Sequence, residues 1–232
     1  MTDDRRRFLG AALGTGLLVP AAPTWADDPP KSKKNGEPEE EVGATEDLMR
    51  EHGVLNRIIL VYEEGLRRLR AKEDVGPEMF HKPASLVRSF IEDYHEQLEE
   101  KFIFPEFEKA MKLTDLTKVL RDQHQAGRRV TDVILRNATG ERFGNADARK
   151  ELVAAAEGFI RMYRPHEARE DTVLFPALHK LLGPKRLDEL GEQFEKEEDR
   201  LFGDEGFEKT VEQVAAIEKQ LGIYDLAKFT PK

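Results

Sequence analysis

Residues 95–105 read HEQLEEKFIFP and residues 166–176 read HEAREDTVLFP. His95, Glu96, Glu99, Phe104 and Pro105 recur as His166, Glu167, Glu170, Phe175 and Pro176, 71 residues later, with Glu100/Asp171 and Ile103/Leu174 as conservative pairs. His52 and His124, 72 residues apart, keep almost the same offset. Self-similarity at a fixed spacing marks one structural unit used more than once. Each half supplies a segment with one histidine, followed by a segment with His-x-x-x-Glu.

The surrounding sequence makes those segments helical. Apolar residues recur at intervals of three and four through Leu48, Leu55, Ile59, Tyr62 and Leu66, then through Leu86, Phe90, Tyr94, Leu98 and Phe102. A third stripe runs Leu116, Val119, Leu120, Val130, Val133 and Ile134, and a fourth Leu152, Ala156, Phe159, Tyr163 and Leu174. Such spacing gives each helix one apolar face. Glycine and proline punctuate the pattern around Val75 to Pro83, Lys112 to Thr114 and Asn137 to Asn145. No period-two run is long enough for a sheet. The expected fold is all-α: an antiparallel up-down four-helix bundle over residues 44–182, with additional C-terminal helices in 183–232. Those helices, Lys185 to Leu201 and Phe207 to Leu221, pack on the bundle or serve as a homodimer arm. Pro165 falls inside the fourth helix and predicts a kink near Arg161. His81 and His179 are assigned to the surface.

Positions i and i+4 share a helix face, so His95 with Glu99 and His166 with Glu170 each present an imidazole and a carboxylate to one point. A lone pair of this kind is usually solvated. Four imidazoles and two carboxylates converging from four helices, with His52 and His124 included, are costly to bury unless cations neutralise them. The set suits a pair of metal ions bridged by the carboxylates. With no cysteine in the chain, thiolate sites, iron–sulfur clusters and disulfides are excluded. Nitrogen and oxygen donors in a histidine-rich dinuclear site favour iron, with manganese or zinc as runner-up. The Glu-x-x-His spacing of carboxylate-rich di-iron bundles is absent: Glu92 precedes His95 by three, but Tyr163 and Arg121 stand there before His166 and His124.

The order His, His-x-x-x-Glu, His, His-x-x-x-Glu, each pair followed by an acid and Phe-Pro, resembles the hemerythrin-like (HHE cation-binding) domain over residues 45–182. The resemblance implies His52, His95, Glu99, His124, His166 and Glu170 as iron ligands, with the glutamates bridging and an oxo or hydroxo group completing a dinuclear non-heme centre. Oxygen-carrying members add a histidine four residues from the third-helix one; here Leu120 and Arg128 hold those places. That leaves a coordination position for water, a substrate, or an extra ligand from Glu96 or Asp171. The aromatics Tyr94, Phe102, Phe104, Phe107, Tyr163 and Phe175 are expected to wall the site.

A formal net charge of −9, with 39% hydrophobic and 36% charged residues, describes a globular acidic protein and argues against nucleic-acid binding. Arg5-Arg6-Arg7-Phe8-Leu9, a short apolar run to Val19 and small residues by Ala26 have the layout of an export signal. They resemble the twin-arginine type, which implies the twin-arginine translocase as partner and a periplasmic location. Residues 1–26 are too short in apolar run to remain as a membrane anchor. Residues 27–43, polar and proline-bearing, read as a disordered linker. Two functional classes follow: a binding protein for molecular oxygen or another small ligand, and a di-iron oxidoreductase acting on peroxide, oxygen or nitric oxide. Iron buffering is the third reading.

Overall fold

The structure, a computed structural model, describes residues 42–203 and 205–231. The export signal and residues 27–41 of the linker lie outside the described residues. Helix α1 is Ala44–Ala71. Helix α2, residues 78–110, is one continuous rod: α-helical Glu78–Leu86, π-helical Val87–His95, a turn Glu96–Leu98, π-helical Glu99–Ile103 and α-helical Phe104–Ala110. Helix α3 is Thr114–Asn137, followed by a single turn Gly140–Phe143. Helix α4, residues 146–181, joins Ala146–Arg169, a π segment Glu170–Leu174 and Phe175–Leu181. Helices α5, Pro184–Phe202, and α6, Gly206–Leu221, complete the chain with a 3₁₀ turn Leu226–Phe229. Among the described residues there is no strand. No described helix is long and apolar enough to cross a membrane.

The first four helices pack in a closed ring, α1 on α2, α2 on α3, α3 on α4 and α4 on α1. Their mutual core holds Leu55, Ile59, Tyr62, Phe80, Leu152 and Phe159, all fully buried, while Phe90 packs against Phe202 and Phe207 of the C-terminal helices. Burying side chains of this size contributes about 1.5–3 kcal/mol each. Acidic Glu46 and Asp47 open α1 and Arg68 and Arg70 close it, complementing the helix dipole. The Asn145 side chain caps α4 by accepting from the amides of Asp147 and Ala148.

The C-terminal helices belong to the same core, where Leu190, Phe194 and Val214 are fully buried. Arg57 on α1 clasps Glu218 on α6 at 2.5 Å, Arg68 donates to the Leu221 carbonyl at 2.6 Å, and the Arg50 guanidinium lies 4.2 Å from the Phe207 ring centre.

Two expectations are corrected. Helix α2 begins at Glu78, so residues 78–83 are helical, Pro83 lies inside the helix and His81 belongs to a helix rather than a loop. The inward face of α3 is Thr117, Leu120, His124, Gly127, Thr131 and Ile134, a strict alternation of three and four. Val119 therefore points outward, 51% exposed. A face built of threonine, glycine and histidine carries little hydrophobic signal, which is why the valines were misleading. At Pro165 the helix continues as α, and the change of helical type comes five residues later, at Glu170.

Candidate metal centre

A proline in a helix has no amide hydrogen to donate, and its ring collides with the carbonyl four residues back. Pro105 and Pro176 each follow a wider turn that avoids this. The Phe104 amide bonds the Glu99 carbonyl and the Phe175 amide bonds the Glu170 carbonyl, five residues back in both cases. Such π turns gather at functional sites. The Phe-Pro of each repeat thus builds the local backbone from which Glu99 and Glu170 project inward.

All six expected ligands are buried and come together. The Nε2 atoms of His52 and His95 stand 3.1 Å apart, and those of His124 and His166 3.2 Å apart. Glu170 Oε2 lies 3.4 Å from His52 Nε2 and 3.2 Å from His166 Nε2. Glu99 Oε2 lies 3.7 Å from His95 Nε2 and 3.4 Å from His124 Nε2. Each glutamate reaches from one histidine pair to the other. Potential ligand atoms of Glu99, His124, His166 and Glu170, and again of His52, His95 and Glu99, lie within 4.8 Å of one another.

Every imidazole is held from behind. His52 Nδ1 bonds Asp171 at 2.7 Å, His95 Nδ1 bonds Glu51 at 2.5 Å, His124 Nδ1 bonds Glu100 at 3.0 Å and His166 Nδ1 bonds Gln123 at 2.8 Å. A donor proton held on Nδ1 leaves Nε2 with a free lone pair, the form a metal requires. Phe104 stacks on His124 with ring centres 5.5 Å apart, and its repeat partner Phe175 stacks on His52 at 5.7 Å.

These residues fit a cation. None of the four carboxylate oxygens of Glu99 and Glu170 has a hydrogen-bond partner, although both residues are fully buried. Buried carboxylates whose nearest polar neighbours are imidazole nitrogens at 3.2–3.7 Å are costly, and a multivalent ion between them would remove that cost. The titration pattern reflects the same need. Burial lowers the His52 imidazole, but Asp171 and Glu170 outweigh it and hold it well above its usual range. Burial likewise opposes His124, which Glu96, Glu100 and Glu99 nevertheless raise to about 10. Burial and the charged partner imidazole drive His95 well below its usual range and His166 down to about 3. Desolvation and the facing Glu170 push Glu99 up.

Asp171 and Glu96, the two possible additional ligands, differ in their surroundings, and a potential ligand atom of Glu96 lies within 4.8 Å of those of Glu100 and His124. Asp171 takes the outer nitrogen of His52. Glu96 accepts from the Tyr163 hydroxyl at 2.7 Å and pairs with Arg128 at 2.8 Å, close to Glu100 and His124. Its matched residue Glu167 accepts from Asn56, and burial pushes its carboxyl up to about 8. Glu51, Gln123 and Glu167 were not anticipated. The signal was present: Glu51 and Gln123 precede the two single histidines, just as Glu100 and Asp171 follow the two glutamates. His179 contacts Thr45 at 2.6 Å, and His81 lies by Ser85, both away from the centre. Tyr94 packs edge-on against Phe202, and Phe102 faces Phe194, so both rings also contact the C-terminal helices.

Two predictions arise here. A Cβ at Gly127 would overlap the Tyr163 hydroxyl. Gly127→Ala should therefore displace Tyr163 from Glu96 and lower stability by about 1–3 kcal/mol in denaturant titration, despite alanine's better helix propensity; an unchanged or raised midpoint would contradict it. Glu92 is buried beside Thr131 and pairs with Arg88 at 3.0 Å, and desolvation above all raises its carboxyl to about 7. An acid raised on folding binds its proton more tightly in the native state, so its contribution is favourable at low pH and is lost as pH rises from the ordinary carboxyl range through about 7. Relative to Glu92→Gln, the metal-free wild type should lose a few kcal/mol over that interval. A pH-independent difference would refute this.

The hemerythrin HHE cation binding domain family matches residues 43–178 and again residues 115–222, two overlapping matches whose starts are offset like the internal repeat. Two uncharacterized proteins, one from Mycobacterium tuberculosis and one from Mycobacterium bovis, are each 50% identical over 231 residues, covering 98% of this chain and 91% of theirs. No solved structure matches.

Proposed function

We propose, from the premise that the chain belongs to the hemerythrin HHE cation binding domain family, that it holds two iron ions in one centre and binds molecular oxygen or a similar small ligand there. The observation that carries this reading is the set of four unpartnered carboxylate oxygens of Glu99 and Glu170, set between two pairs of inward Nε2 atoms. Bound iron would supply a redox-active Lewis acid with coordination positions left over for a small ligand. His52 and His95 would hold one ion, His124 and His166 the other, and Glu99 and Glu170 would bridge them. Asp171, Glu51, Glu100 and Gln123 fix the ring orientations from outside. Phe104 and Phe175 stack on His124 and His52, and Arg128 with Tyr163 holds the Glu96 carboxylate.

Arg128 occupies a place where oxygen carriers have a further histidine, so a bound ion would find no imidazole there and could take a small ligand instead. Export by the twin-arginine route, read from residues 1–26, would place the loaded protein in the periplasm. The test is repeated cycling of the iron-loaded protein between anaerobic and oxygenated buffer while recording visible absorption. A band that appears with oxygen and vanishes on its removal, over several cycles, supports ligand binding. A band that never returns to the starting state, accompanied by consumption of peroxide, oxygen or nitric oxide with an electron donor, would replace this reading with the oxidoreductase.

A further inference from the structure

The two halves of the centre match position for position in their outer residues, and they differ in charge at two of those positions. Glu51 behind His95 corresponds to Gln123 behind His166, an acid against a neutral amide. Asn56, one turn after His52, corresponds to Arg128, one turn after His124. Asn56 gives Glu167 a neutral hydrogen bond, whereas Arg128 pairs with both Glu96 and Glu100 at 2.8 Å. The remaining outer pair is balanced, with Asp171 on His52 and Glu100 on His124. Both differences act in one direction. Gln123 lacks the acid that Glu51 places behind His95, and Arg128 adds a cation where Asn56 is neutral, so by formal charge the surroundings of His124 and His166 are the less negative.

An anionic partner on the outer nitrogen makes an imidazole a stronger ligand, and outer partners of this kind are typically worth 10–100-fold in metal affinity. The Arg128 guanidinium adds repulsion toward a second cation on its own side and neutralises the carboxylate that supports His124. We infer that the centre fills in order, with a tight ion at His52–His95 and a weaker, exchangeable ion at His124–His166. The inference rests on the proposed dinuclear centre and adds which half loads first and why. It also makes the exchangeable half the one that could accept a different metal from the tight half.

Anaerobic calorimetric titration of the metal-free full chain with cobalt(II), followed in parallel by its visible absorption, tests this. The expected isotherm has two steps of one equivalent each, separated by about 10–100-fold in affinity. His95→Ala should remove the tight step and His166→Ala the weak one. Gln123→Glu, a near-isosteric change, should strengthen the weak step about tenfold and draw the two together, and Glu51→Gln should weaken the tight step. A single step of two equivalents in the wild type would overturn the inference while leaving the dinuclear centre intact. So would loss of the tight step in His166→Ala, or an unchanged weak step in Gln123→Glu with native circular dichroism. Absence of any cobalt binding by the wild type would instead remove the centre, and this inference with it.

Discussion

Replacing Glu99 and Glu170 together by glutamine should reduce bound metal from two ions per chain to none, the largest effect of any change short of unfolding. Both side chains reach across between the histidine pairs, so their loss removes the bridge and half of the charge compensation at once. The same variant should keep its helical content, because neither carboxylate makes a hydrogen bond in the fold. Elemental analysis with circular dichroism checks both parts. Wild-type metal content in the double variant would mean that the ions sit elsewhere.

The second large effect is the stability supplied by the metal. An ion that binds only the folded chain stabilises it by about 4 kcal/mol when present at a thousand times its dissociation constant. For a domain of this size each kcal/mol moves the melting temperature by roughly 2–4 °C. Chelation should therefore lower Tm by about 10 °C or more. The sign with pH follows from the ligands. Metal needs neutral imidazoles and ionised carboxylates, so protons compete with it. The metal-free protein holds a proton on His124 up to about pH 10, so the metal-dependent increment shrinks steadily as pH falls below that value. Scanning calorimetry with and without chelator, at about pH 7.5 and about pH 5.5, should show a wide gap at the first and a narrow one at the second. An equal gap at both would contradict imidazole ligation.

The fold and the inner ring of this centre were legible because the signals were repeated. One HxxxE segment is ambiguous, but two in matched helices, each closed by Phe-Pro and each preceded by a single histidine, leave little freedom in how they face one another. The proline also marks the π turn, a feature of backbone hydrogen bonding that hydrophobic periodicity cannot register. The outer ring was harder to read. Glu51 and Gln123 differ in charge, which hides their equivalence, and Glu96 and Glu167 adjoin one histidine in sequence yet support the opposite half of the centre in space. Asp171 illustrates the same crossing: it follows Glu170 but holds His52 on α1. The inward face of α3 escaped for a different reason. Gly127 and Thr131 are there to admit Tyr163 and to sit beside Glu92, so function and close packing replaced the apolar residues that reveal a helix face.

The most direct test of the bridged centre is X-ray absorption spectroscopy on the iron-loaded protein, combined with an iron count per chain. The account predicts two irons per chain, nitrogen and oxygen neighbours only, and an iron–iron distance on the order of 3–4 Å, as in two-metal sites generally. One iron per chain, or two without an iron–iron vector, would contradict it.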